Sequence, residues 1–261
     1  MAHSGTADDR EVIGPSPEES ARRDVARAWD SYWKAHVDEL EGPPMPFIVK
    51  ALHHALGDVR GKRVLEAGSG TGALSLTLAN AGANVTLLDF VPKCVRVGLR
   101  AFGMSGVAGD LFQMPFASGS FDFVFNHGVM EHFEPASVLR GIAEMARVLK
   151  PGGRLLVMVP SARGRFYVAG KKMLERAGRW EYGIEYPQPS LLPVGAALGL
   201  ESLGESWTGV RHQVNFLRGW RWRLARLVTR PFSEDSMLGV ALFGAYLQVS
   251  LWRKPDRGAT P

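Results

Sequence analysis

The sequence predicts an α/β protein whose βαβ units build a parallel sheet, and three observations carry that prediction. From Arg63 onward, short apolar runs alternate with helix-length stretches, the pattern of strands joined by helical crossovers. The first of these runs leads straight into a glycine-rich turn, Gly68-Ser69-Gly70-Thr71-Gly72, that opens a helical stretch. A length of 261 residues with 46% hydrophobic and 22% charged residues suits one elaborated domain and excludes a disordered or collagen-like chain. Cys94 is the one cysteine, which excludes a disulfide framework and a cysteine metal cluster. It is expected to be a packed apolar group in a protein of a reducing compartment.

Residues 1–15 mix acids, bases, Gly and Pro without an apolar stretch, so a disordered leader and a cytoplasmic location are expected. Ser16-Pro17-Glu18-Glu19 has the capping-box pattern. The helix it starts carries Val25, Trp29, Tyr32, Trp33, Val37 and Leu40 on one face, and Gly42-Pro43-Pro44 stops it. A second helix is expected over Phe47–Leu56. Strands follow at 64–66, 84–88, 106–108, 121–125 and 154–159, with helices at 72–81, 92–102 and 135–149 between them. Pro151-Gly152-Gly153 makes the turn into the fifth strand.

Beyond it come a basic helix at 168–178 and an aromatic loop bearing Trp180, Tyr182 and Tyr186. A sixth strand is expected at 200–207 and a last one at 241–252. The apolar run Met237–Trp252 has 16 residues, short of the roughly 20 that span a bilayer as a helix, and is read as a buried strand.

Charge is unevenly distributed. The net +5 is absent from residues 1–161, where 16 Lys and Arg face 18 Asp and Glu. It lies in 162–180 and in 211–230, which holds six arginines and no acid, around an acidic stretch at 181–210. A uniformly basic nucleic-acid binder would not be built this way. The 211–230 insert reads as a basic amphipathic helix with Val214, Leu217, Trp220, Leu224, Leu227 and Val228 on one side and arginines on the other. Either it is a surface helix with solvated arginines, or it meets an acidic acceptor or an anionic membrane surface.

Glu66 through Gly72 lets backbone approach a ligand, and Asp89 ends the second strand where a carboxylate can accept both hydroxyls of a ribose. Both features suit NAD as well as S-adenosylmethionine. Glu66 separates them, because a carboxylate repels a pyrophosphate but attracts the sulfonium and ammonium of S-adenosylmethionine.

Five ordered segments then resemble the class I S-adenosylmethionine-dependent methyltransferases, in particular their small-molecule, ubiquinone-type group. They are Glu66–Gly72, Leu87–Phe90, Gly109-Asp110-Leu111, Phe121–Phe133 and Leu149–Gly153. The resemblance covers about residues 60–160. It implies a Rossmann-like fold of seven mostly parallel strands with helices on both faces. Residues 16–58 would be an N-terminal helical lid, 59–161 the cofactor-binding core, and 162–261 an acceptor-side region of the same domain that includes the insert at 211–230.

It further implies that Glu66, Gly68, Ser69, Gly70 and Gly72 surround the methionine portion of S-adenosylmethionine, with Asn126 beside it. Asp89 would hold the ribose, Phe90 and Leu111 the adenine faces and Asp110 the adenine amino group, while Tyr32 closes over them. No metal is implied, since Gly128 stands where some relatives place a metal-binding carboxylate.

The implied reaction is methyl transfer to a small aromatic or apolar molecule, most readily on oxygen, leaving S-adenosylhomocysteine. Alignment supplies most of such catalysis, and a base is needed only when the acceptor must lose a proton. His127 and His132, after the fourth strand, are the candidates. Two alternatives stand beside this reading: a peripheral-membrane methyltransferase of a lipid or quinone-like substrate, and an inactive cofactor-binding interaction protein. Tyr167-x-x-x-Lys171 matches a short-chain dehydrogenase pair, but that family's N-terminal glycines and Asn-rich fourth strand are missing. Asn126-His127-Gly128-Val129 matches neither tetrapeptide nor cysteine of the nucleic-acid base methyltransferases.

Overall fold

The structure, a computed structural model, describes residues 17–36, 43–186, 188 and 190–256, apart from the side chains at 17–19 and 21. The expected leader, the Ser16 cap and the positions Val37, Leu40 and Gly42 lie outside the described residues.

Seven strands form one sheet in the order β3-β2-β1-β4-β5-β7-β6. They are β1 (Arg63–Ala67), β2 (Asn84–Asp89), β3 (Ser105–Ala108), β4 (Phe121–His127), β5 (Leu149–Pro160), β6 (Glu201–Thr208) and β7 (Leu247–Arg253). All neighbours pair in parallel except β7, which runs antiparallel to both β5 and β6. The seven-stranded, mostly parallel α/β sheet is therefore as expected.

Helices α1 (Pro17–His36) and α2 (Pro46–Leu56) precede the sheet, and α3 (Ala73–Asn80), α4 (Pro92–Phe102) and α5 (Pro135–Val148) cross between strands. After β5 come α6 (Arg165–Arg176), α7 (Leu192–Ala197), α8 (Gly219–Thr229) and α9 (Met237–Phe243).

Strand alternation explains why both faces are covered. Leu65, Val124, Leu155 and Val157 enter one apolar cluster with Val138, Ile142 and Met145 of α5. Their neighbours Val64, Phe123, Phe125, Leu156 and Met158 enter a second, with Leu52 and Leu56 of α2 and Leu74 and Leu78 of α3. Consecutive side chains of a strand point to opposite faces, so runs that are apolar throughout require helices on both. Cys94 is buried against Val91 and Trp33, as expected of a packed thiol.

Four expectations are corrected. β4 runs two residues further, so His127 ends the strand instead of following it. Pro151-Gly152-Gly153 lies inside β5 as an irregularity, with Gly152 at φ 73°. The 211–230 insert is not one helix: a 3-10 turn, His212–Phe216, buries Val214 and precedes α8. Most importantly, Met237–Phe243 is helical. Ser236 accepts a hydrogen bond from Gly239 N at 3.2 Å and caps α9, and Gly244, at φ 71°, ends it before β7 begins at Leu247.

Candidate functional site

The strand order reverses between β1 and β4, and the carboxyl ends of parallel strands at such a point are where α/β sheets bind ligands. A cleft of about 1020 Å³ opens there. Its first wall is the glycine turn. Gly68 N and Ser69 N donate to Leu88 O at 2.8 and 2.9 Å, tying the turn to the end of β2. Gly68 sits at φ +77°, and a Cβ there would come 2.6 Å from Val129 Cγ2, so the approach is open to glycine alone.

Asp89 completes that wall. Its Oδ2 accepts from Gly70 N at 2.8 Å and its Oδ1 from Val91 N at 2.9 Å. Burial outweighs both bonds and pushes the carboxyl up to about 6. Glu66, 3% exposed, lines the cleft from the end of β1. Phe90, Leu111 and Asp110 follow, with Asp110 Oδ1 accepting from Phe112 N at 2.9 Å.

Helix α1 forms the roof. The Trp29 ring meets His132 edge-on at 5.1 Å, and Tyr32 lies 5.4 Å from Trp33 and 6.3 Å from Tyr182. The Arg22 guanidinium sits 4.9 Å over Phe112. The cleft thus brings together Tyr32, Glu66, Gly68, Ser69, Gly70, Asp89, Phe90, Asp110 and Leu111. Gly72 and Asn126 stand behind it: Gly72 faces Leu87 and Met104, and Asn126 Nδ2 donates to Ala67 O, bracing the strand before the turn.

Both candidate histidines reach the cleft. Burial lowers His127 to about 4, so its imidazole is neutral and weakly basic. His132 is also lowered by burial. Its Nδ1 lies 2.8 Å from Ile184 O, and a carbonyl only accepts, so the proton is on Nδ1 and Nε2 keeps its lone pair. Nε2 is 3.9 Å from Oε1 of Glu131. Burial, with the charge of Glu185 adding to it, raises Glu131 well above the usual carboxylate range. Glu131 Oε2 has no hydrogen-bond partner among the described residues.

Of the far wall, the sequence marks only the aromatic loop with Trp180 and Tyr182. Glu185 is raised by burial, accepts the Tyr167 hydroxyl and lies 3.6 Å from Lys171 Nζ. Tyr167 is held protonated by its own burial and by Glu185. The Tyr167–Lys171 spacing therefore serves a carboxylate and leaves the phenol without the lowered pKa an acid catalyst of the dehydrogenase type needs. Trp180, Tyr182, Phe216, His212 and Tyr246 surround this cluster, with Phe216 stacked on Tyr246 at 5.2 Å. Tyr186 does not line the cleft; its backbone N donates to Glu131 O at 2.6 Å. Among the described residues no three His, Cys, Asp or Glu side chains converge as a metal site.

Residues 65–157 match the family model described as a methyltransferase domain. Over 109 residues the chain is 42% identical to the demethylmenaquinone methyltransferase of Beutenbergia cavernae, covering 41% of this chain and 45% of that one. Over 141 residues it is 36% identical to the ubiquinone biosynthesis O-methyltransferase of Bordetella bronchiseptica, covering 49% and 54%. The chain thus spans about half the length of these curated relatives. Among solved structures, the 1,6-didemethyltoxoflavin-N1-methyltransferase of Burkholderia thailandensis, holding S-adenosylhomocysteine, matches with a TM-score of 0.58 at 19% identity. That match covers 96% of this chain and 99% of that one and shows a shared fold.

Proposed function

We propose that this chain, whose residues 65–157 form a methyltransferase domain on a class I sheet, uses S-adenosylmethionine to methylate a small aromatic or apolar acceptor, on oxygen. One observation carries the reading: a single cleft runs from the glycine turn and Asp89 to His132 and the aromatic wall, so cofactor and acceptor share one chamber. The cleft's volume is at the upper end of small-molecule sites, as two ligands require.

The residues fit the cofactor. Asp89 has acceptor capacity left on both oxygens after Gly70 and Val91, which suits ribose hydroxyls. Glu66 supplies negative charge where the ammonium and sulfonium would lie, and Phe90 and Leu111 offer apolar faces to the adenine. When bound, S-adenosylmethionine provides a methyl group already activated on sulfur.

The chain's own residues then align and desolvate. The Gly68–Gly70 backbone fixes one reactant, while Trp29 and Tyr32 of α1 exclude water over the reacting centre. His132 Nε2, its proton placed on Nδ1 by Ile184, takes the proton of an acceptor hydroxyl. Trp180, Tyr182, Phe216 and Tyr246 pack on the acceptor ring. Relatives named for demethylmenaquinone and ubiquinone support a phenolic, quinone-like acceptor.

The test has two stages. Calorimetry with S-adenosylhomocysteine should give a one-site isotherm, and its absence removes the cofactor assignment. Mass spectrometry after incubation with S-adenosylmethionine and panels of phenols, hydroquinones and amines should then find methylated phenols. Binding without turnover on any acceptor class would make the chain a cofactor-binding interaction protein.

A further inference from the structure

We propose that α8 and α9 together form a docking surface for an anionic lipid bilayer. Half of the exposed large hydrophobic side chains among the described residues lie between positions 220 and 242, a concentration that chance scatter does not produce. On α8 they are Trp220, Leu224, Leu227 and Val228, and on α9 Met237, Leu238 and Leu242. Leu227 is 66% exposed and Met237 88%. Helix α8 rests on Ala225 and Thr229 and turns its larger side chains outward.

The two helices share one support. Ala225 packs in a cluster with Val214, Leu217 and Phe166 of α6. Phe166 also stacks on Phe243 of α9 at 5.7 Å, and Phe232, between the helices, meets Phe243 at 5.7 Å.

Charge selects the occupant. Arg218, Arg221, Arg223, Arg226 and Arg230 have no carboxylate partner among the described residues. Arg218 reaches the backbone carbonyls of Asn215 and Leu217 at 2.6 and 2.9 Å, and Arg221 and Arg226 lie over the rings of Trp220 and Trp222. The neighbouring acids are already engaged, Glu234 with Arg211 at 3.4 Å and Asp235 with Lys50. The surface therefore presents unneutralised guanidinium groups among long aliphatic chains.

A nucleic acid would satisfy the arginines but leave the aliphatic side chains in water. The core of a protein interface is depleted of charge, whereas this face interleaves the two. A lipid headgroup region accepts both at once, aliphatic chains below and arginines snorkelling to phosphate. Phe216 and Arg218, just before α8, also line the cleft, so a docked bilayer would border the acceptor end. That a lipid-dissolved acceptor enters from there rests on the function proposed above; the docking itself does not.

The test is co-flotation of the full chain with vesicles of phosphatidylcholine alone or mixed with phosphatidylglycerol. Binding should require phosphatidylglycerol and weaken with salt. Arg223→Ala/Arg230→Ala should partition about 25-fold less, fivefold per arginine, and Leu227→Ser/Met237→Ser about a hundredfold less. These side chains are exposed, so the variants should melt with the wild type and bind S-adenosylhomocysteine equally.

No flotation with either vesicle, or equal flotation of wild type and variants, overturns the proposal. So does a concentration-dependent dimer that the leucine variant abolishes, or oligonucleotide binding lost in the arginine variant without vesicle binding.

Discussion

The two ends of the cleft are built by different means. At the proposed cofactor end the wall is the backbone of the glycine turn and strand-terminal carboxylates, fixed by local bonds such as Gly68 N and Ser69 N to Leu88 O and Gly70 N to Asp89. At the proposed acceptor end the wall is made of side chains delivered from distant places: Glu131 and His132 after β4, Glu185 in a loop, braced from behind by Tyr167 and Lys171 of α6, and Tyr246 before β7. Geometry carried by backbone constrains a short run of sequence and leaves a motif. Geometry assembled from side chains of several elements constrains no run, and so it can vary with the acceptor while the cofactor end stays the same.

If the two ends work separately, substitutions should divide cleanly between cofactor affinity and turnover. The largest effect is expected at His132. His132→Gln should lower kcat by about a hundredfold or more, the range of a positioned base, and leave S-adenosylhomocysteine affinity within twofold. His127→Gln is the counter-case: at a pKa of about 4 the imidazole is a poor proton acceptor, so turnover should change little. A His127 variant that loses as much turnover as the His132 variant would reverse the assignment.

Next comes Asp89→Ala, which removes the ribose acceptor and also leaves the amides of Gly70 and Val91 unpaired. Hydrogen bonds to a charged group contribute about 1.5–3 kcal/mol each, so cofactor affinity should fall about a hundredfold by calorimetry. Were affinity unchanged while acceptor KM rose, the cofactor would not lie against β2.

The same carboxylate gives the third effect. Because burial holds it at about 6, the proton is lost only as pH rises through that value, and the ionised form is the one that accepts ligand hydroxyls. S-adenosylhomocysteine should therefore bind about tenfold more weakly at pH 5 than at pH 7, and Asp89→Asn should flatten the profile. The raised value also means that Asp89 lowers the stability of the ligand-free fold as pH climbs from about 4 to about 6, since the unfolded chain releases its proton first.

The contrast also accounts for what could be read in advance. Strands β1, β2, β4 and β5 are legible because their residues are apolar on both faces and each is followed by a helix, and the glycine turn because its φ values exclude other residues. The run Met237–Trp252 departs from a single buried strand because apolarity is not burial: α9 keeps Met237, Leu238 and Leu242 in solvent. The correcting signal, Ser236 before the run and Gly244 within it, is a helix cap and a helix stop. Glu185, Tyr167 and Tyr246 have no such signal, because their meeting depends on how α6 packs against the 212–216 turn and the segment before β7.

The smallest expected effect sharpens the comparison most, because it falls on a residue that stands behind the acceptor end alone. Tyr167 donates its hydroxyl to Glu185, and Lys171 lies on the same carboxylate. Tyr167→Phe takes away one of these two stabilising groups and leaves the ring contacts with Phe216 and Tyr246 in place. Glu185 should then hold its proton to higher pH, and the negative charge that now raises Glu131 should diminish, drawing Glu131 downward. One hydrogen bond is worth about 1 kcal/mol, so acceptor kcat/KM should change about fivefold, with its pH dependence displaced, while S-adenosylhomocysteine affinity stays as it was. If that affinity shifts by the same factor, the network crosses the cleft and the division fails. If only the acceptor parameters move, specificity resides in the Glu131–Glu185–Tyr167 cluster, and acceptor choice can be altered there without disturbing the glycine turn.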